Sequence, residues 1–152
     1  MKFGNRTYAV GALAAAVAAA LAVGASAAPA GPNAKSTKLK AFLTVNQSIP
    51  TPKGARGSGT FTATVTGRTI TWRVAFKGLT GAATAAHIHA ALAGKANPAP
   101  AVALCGPCRN GQTGTATASA AVLKKILGGA TYVNVHTTKN AGGEIRGQIA
   151  SA

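Results

Sequence analysis

The chain has 152 residues, with 16 lysines and arginines against one acidic residue and three histidines, for a formal net charge of +15. A single carboxylate excludes hydrolysis by a carboxylate pair, and the absence of aspartate excludes an aspartate-based triad. The basic residues are scattered and no aromatics alternate with them to stack bases, which argues against specific nucleic-acid binding and for a solvated basic surface.

Lys2 and Arg6 precede an uncharged Ala/Val/Leu run over 9–23, and Ala25-Ser26-Ala27 follows, a pattern that predicts a secretory signal peptide over 1–27. The alternative is a retained anchor. The run is short for a membrane span and no second apolar stretch follows, so the expected product is exported, periplasmic or extracellular, with no transmembrane segment. Cleavage leaves 125 residues, enough for one domain, with 14 basic residues against Glu144, a net charge of +13. Such an excess favours polyanions such as anionic envelope polymers as partners; an extracellular protein is the other partner expected.

Residues 28–37 lack periodicity and form an expected flexible lead-in, so the domain is expected over 38–150. Strands are predicted at 38–46, 59–66, 69–77, 84–90, 101–104, 113–119, 131–136 and 144–150 from short period-2 alternation bounded by turn residues. In 60–66, threonines take one face while Phe61, Ala63 and Val65 take the other. Gly67-Arg68 suits a two-residue type II′ hairpin. The partner strand puts Ile70, Trp72, Val74 and Phe76 on one side, which assigns the single tryptophan to the core. One short helix is expected, with Ser119 as N-cap and Gly128-Gly129 as the stop. Together these predict an all-β fold, an antiparallel Greek-key sandwich or barrel of seven to eight short strands with one short helix.

Cys105-Gly106-Pro107-Cys108 has thioredoxin-type spacing, but it follows a strand and precedes a loop where a reactive thiol needs a helix N-terminus. In an exported chain a structural Cys105–Cys108 disulfide is the expectation, with redox activity or metal capture as alternatives. No phosphate-binding glycine loop and no serine nucleophile elbow are present.

The ionisable chemistry is concentrated in three segments: Ala86-His87-Ile88-His89, Tyr132-Val133-Asn134-Val135-His136-Thr137 and Gly143-Glu144-Ile145-Arg146-Gly147-Gln148. His87 and His89 stand at i and i+2, so their rings leave one face of a strand close enough to share an ion, and His136 could add a third nitrogen. Three imidazoles suit copper or zinc. Glu144 could orient one ring through its second N–H, or could pair with Arg146 two residues on. The first reading of the three histidines is nevertheless a partly buried polar cluster, hydrogen-bonded to backbone and to Glu144 or Asn134, that stabilises strand packing; the metal site is its alternative.

Taken in order, with Gly78-Leu79 before them, these segments resemble the CHRD (chordin-type) domain over roughly 38–149, almost the whole of the expected mature chain. The resemblance implies a secreted bacterial protein whose β-sandwich is a binding or structural module of the envelope or extracellular space, with no established catalytic activity. No enzyme is therefore expected and no catalytic residue is assigned. Ile49-Pro50-Thr51-Pro52 departs from the family, since a Glu-Val-Pro-Pro type of segment often stands there and this chain has no carboxylate in it.

Overall fold

A computed structural model describes residues 35–152; the expected signal peptide and most of the expected lead-in lie outside the described residues. Nine strands alternate with one helix: β1 (Ser36–Thr44), β2 (Ser58–Thr66), β3 (Thr69–Lys77), β4 (Ala83–His89), β5 (Pro100–Cys105), β6 (Gln112–Thr117), α1 (Ala120–Leu127), β7 (Tyr132–Thr137), β8 (Ile145–Gln148) and β9 (Ala150–Ser151). The first strand begins two residues ahead of the expected domain start. The last predicted strand divides into β8 and the two-residue β9, which pairs with β1.

All pairings are antiparallel, in the spatial order β5-β4-β7-β8-β1-β2-β3-β6, and the sheet curls into a nearly closed barrel. Of the two predicted architectures the barrel is the one adopted. Alternation drives the curl: Leu39, Ala41, Leu43, Phe61, Ala63, Val65, Ile70, Trp72 and Val74 are buried while their sequence neighbours face solvent. Truncating a fully buried residue such as Phe61 to alanine would cost about 3–5 kcal/mol. Trp72 needs a small residue opposite it. On β6 that residue is Gly114, where an added Cβ would come within 2.5 Å of Trp72 Cζ2.

The tight turn between β2 and β3 has Gly67 at φ 58 and no positive φ at Arg68, as a type II′ turn requires. Ser119 caps α1 by accepting from the Val122 N–H, and Leu123 and Ile126 sink into the common apolar cluster. The two outermost strands, β5 and β6, are consecutive in the chain. Their connection carries Cys105 and Cys108, whose sulfurs are 2.12 Å apart, and the Cys108 N–H donates to the Ala83 carbonyl of β4 at 3.0 Å. The cysteine pair thus fastens the segment that spans the open seam.

Candidate metal centre on the outer face of the barrel

β4, β7 and β8 lie side by side, and their inward residues Ala86, Ile88, Val133, Val135 and Ile145 belong to the core. Period 2 then sends His87, His89, Tyr132, Asn134, His136, Arg146 and Gln148 to the outer face. The register sets His87 opposite Asn134 and Asn134 opposite Arg146; one step on, it sets His89 opposite Tyr132 and Tyr132 opposite Gln148. The pairing with β5 is irregular next to both β4 histidines, with register shifts between Ala86 and His87 and between Ile88 and His89.

An outer face would ordinarily be wet, yet His89, Tyr132, Asn134 and Arg146 are all buried. The segment from Ala90 to Ala99 folds across them. Gln148 Nε2 donates to Ala91 O at 3.0 Å, Arg146 Nη2 to Leu92 O at 3.3 Å, and the Tyr132 hydroxyl to Asn97 O at 3.0 Å. Beneath this cover a cleft of about 270 Å³ is lined by residues that include His89, His136, Asn134, Tyr132 and Arg146.

The three histidines come together as the strand pattern predicts. Each offers a ring nitrogen, and the three nitrogens lie within 4.8 Å of one another. His87 Nδ1 and His136 Nε2 are 3.2 Å apart, and His136 Nδ1 is 2.8 Å from the Ala141 carbonyl. The carbonyl can only accept, so His136 carries its proton on Nδ1 and turns the Nε2 lone pair toward His87. His89 stacks on Tyr132, with ring centroids 5.0 Å apart and 8° between planes, and neither of its nitrogens has a hydrogen-bond partner. Burial pulls the His87 imidazole below its ordinary pKa, and the neighbouring His136 adds to the effect. For His89 burial again dominates, reinforced by His136 and His87 and opposed by the backbone of Asn97 and Ala99, which lies near the ring without reaching the geometry of a hydrogen bond. Both rings are therefore held neutral, the protonation state that coordinates a metal.

Glu144 does something other than either expectation. It neither reaches a histidine nor pairs with Arg146. Its fully buried carboxylate accepts from Thr80 N at 2.7 Å, Thr80 Oγ1 at 2.6 Å, Thr137 Oγ1 at 2.8 Å and Asn140 Nδ2 at 2.9 Å. The i+2 argument fails because β8 begins at Ile145: Glu144 sits just outside the strand, after Gly143 at φ 116, and need not share the face of Arg146. Burial pushes its carboxyl pKa upward, but the hydrogen bonds from Thr80, Thr137 and Asn140 outweigh that and hold it below the ordinary value. The ring-orienting acceptor assigned to Glu144 is instead the Ala141 carbonyl. Asn134 makes no bond to a histidine either; its Nδ2 donates to Gly142 O at 3.2 Å.

Arg146 lies over Tyr132, with Cζ 3.6 Å from the ring centroid. Since β7 runs between β4 and β8, Tyr132 is held between His89 and Arg146. Strand alternation from His136 back to Tyr132 could have revealed this ring as a neighbour of the histidines. No sequence pattern announced Asn97, whose carbonyl fixes the tyrosine.

The CHRD domain family profile matches residues 39–149, which spans β1 to the end of β8 and all the residues of the site. The chain belongs to the CHRD domain family. No curated protein and no solved structure matches it. CHRD domains are in general non-catalytic and typically extracellular, binding or structural modules. Among the described residues no helix is long and apolar enough to cross a membrane. In this CHRD domain the closing Gly143–Gly147 segment divides its work: Glu144 ties the 137–140 turn to the 78–80 loop, and Arg146 faces the histidine cleft.

Proposed function

We propose that this CHRD domain is an exported metal-binding module that holds one copper or zinc ion on His87, His89 and His136. The observation that carries this reading is His89: its ring is 3% exposed, neither nitrogen is hydrogen-bonded, and it stands beside two other imidazoles. A buried polar group left without a partner costs about 1–3 kcal/mol, and an ion shared with the two adjacent imidazoles would satisfy it here. A metal binds imidazole nitrogens at about 2.0–2.1 Å. The 3.2 Å separation of His87 and His136 nitrogens suits that distance, and His89 has to close by roughly an ångström. Without the ion, a His87 N–H donating to His136 Nε2 keeps the same pair together. Three protein nitrogens leave a coordination position open, as in sites that bind a further ligand.

Equilibrium dialysis against copper or zinc followed by metal analysis tests the reading. One ion per chain is expected, with at least a hundredfold loss of affinity in a His87→Ala/His89→Ala variant; substoichiometric metal, or affinity unchanged in the variant, would sink it.

A second role rests on charge. Every lysine and arginine among the described residues except Arg146 is exposed, while the only acidic side chain is buried, so the outer surface is uniformly cationic. This supports electrostatic association with anionic envelope polymers. Retention on such material should weaken steeply as salt rises, and salt-independent retention would contradict it.

A further inference from the structure

Arg146 is 3% exposed and fully ionised, a combination that in folded proteins ordinarily comes with a carboxylate partner. Here no such partner exists. Glu144 is the chain's only acidic side chain, and its oxygens are taken by Thr80, Thr137 and Asn140. The guanidinium is left with neutral acceptors, Leu92 O at 3.3 Å and Gln148 Oε1 at 3.5 Å, both reached by Nη2. Nε and Nη1 donate to nothing among the described residues, and neither is sealed from solvent as an unpartnered buried atom. The side chain lines the same cleft as His89 and His136.

We propose that this cleft receives a small carboxylate anion, gripped by Arg146 and extending toward the histidines to complete the shell of the bound metal. Arg146 supplies what the carboxylate needs: a planar cation held by the Tyr132 ring, with its Nε and Nη1 donors free. The metal supplies the second attachment, because three imidazoles leave it a position to fill and a net positive charge. Size points to a free small acid: the cleft is about 270 Å³ and the 90–99 segment folds across it. Across the sheet, Asn134 alone separates His87 from Arg146, a gap of two strand spacings, about 10 Å, that the long arginine side chain shortens. The metal half of the proposal rests on the metal-binding reading; the Arg146 half does not.

Succinate is a suitable probe. Calorimetric titration of metal-free protein should show binding that Arg146→Gln weakens at least tenfold, and Lys124→Gln, at an exposed position of α1 outside the cleft lining, leaves unchanged. Arg146→Lys keeps the charge without the planar guanidinium donors and should fall between them, which also covers a glutamine variant that fails to fold. In copper-loaded protein succinate should bind at least tenfold more tightly than in metal-free protein and shift the copper d–d band. Binding that is indifferent to Arg146→Gln, or equally reduced by Lys124→Gln, would overturn the proposal in favour of general surface charge. Copper that binds while its band ignores succinate would overturn the bridging anion and leave the metal reading intact. Arg146-dependent succinate binding in protein that takes up no copper would sink the metal reading and support the arginine site.

Discussion

Replacing Glu144 with glutamine keeps the shape of the side chain and removes the only acidic side chain in the sequence. The carboxylate accepts four hydrogen bonds, all from inside the protein. In Glu144→Gln the amide oxygen can stay on the fixed Thr80 N–H, while the amide nitrogen takes the place of Oε2. The Thr80 and Thr137 hydroxyls can rotate to accept from it, but the Asn140 Nδ2 group, itself a donor, cannot. Bonds to a charged group contribute about 1 kcal/mol more than neutral ones, so four of them amount to roughly 3–4 kcal/mol, offset in part by the lower desolvation cost of an amide. A net loss of about 2–3 kcal/mol is expected, which lowers Tm by roughly 10 °C for a domain of this size. Urea and thermal unfolding followed by circular dichroism at pH 7 measure it. The pH dependence gives an independent reading. Because the folded carboxyl pKa lies below its ordinary value of 4.5, the unfolded chain binds the proton more readily in that range. Its stabilising contribution is complete above about pH 4.5 and is lost as pH falls through the folded value. With no other acidic side chain, Glu144→Gln should nearly flatten that limb. A variant within about 0.5 kcal/mol of wild type, or one with an unchanged acid limb, would refute the reasoning.

Three further outcomes follow from the same geometry. Gly143 combines φ 116 with a Cβ position that overlaps the Asn134 amide, so Gly143→Ala should cost about 2–4 kcal/mol in the same unfolding assay. Tyr132→Phe keeps the stack on His89 but releases Asn97; a loss of about 1 kcal/mol is expected, with faster amide hydrogen exchange confined to 90–99. His87 and His89 have folded pKa values below the ordinary 6.5, so their contribution is present above pH 6.5 and is lost as pH falls toward the lowered values. Metal-free His87→Gln/His89→Gln should show a shallower decline just below pH 6.5 than wild type, while Glu144→Gln should retain it.

Most of the barrel was legible because its strands alternate strictly. Thr60 to Thr66 and Thr69 to Lys77 declare their inner faces residue by residue, and a glycine at the first turn position sets the hairpin between them. The convergence of the three histidines was legible for the same reason, since period 2 puts them on the polar face of β4 and β7. Two things were not. Alternation says nothing about residues just beyond a strand end, which is why Glu144 was placed with Arg146 or a histidine when it belongs to Thr80, Thr137 and Asn140. Nor can an alanine-rich segment such as 90–99 reveal that it will fold over an outer face and bury Arg146; that depends on contacts made by Gln148 and Tyr132 from far along the chain and by Asn97 within the segment.

The central claim, that His87, His89 and His136 jointly hold one metal ion, is tested most directly by electron paramagnetic resonance of the protein loaded with one equivalent of Cu²⁺. Nitrogen hyperfine coupling from three imidazoles is expected, reduced in number by replacing any one of the histidines. A spectrum that stays the same when His87, His89 and His136 are replaced together would contradict it.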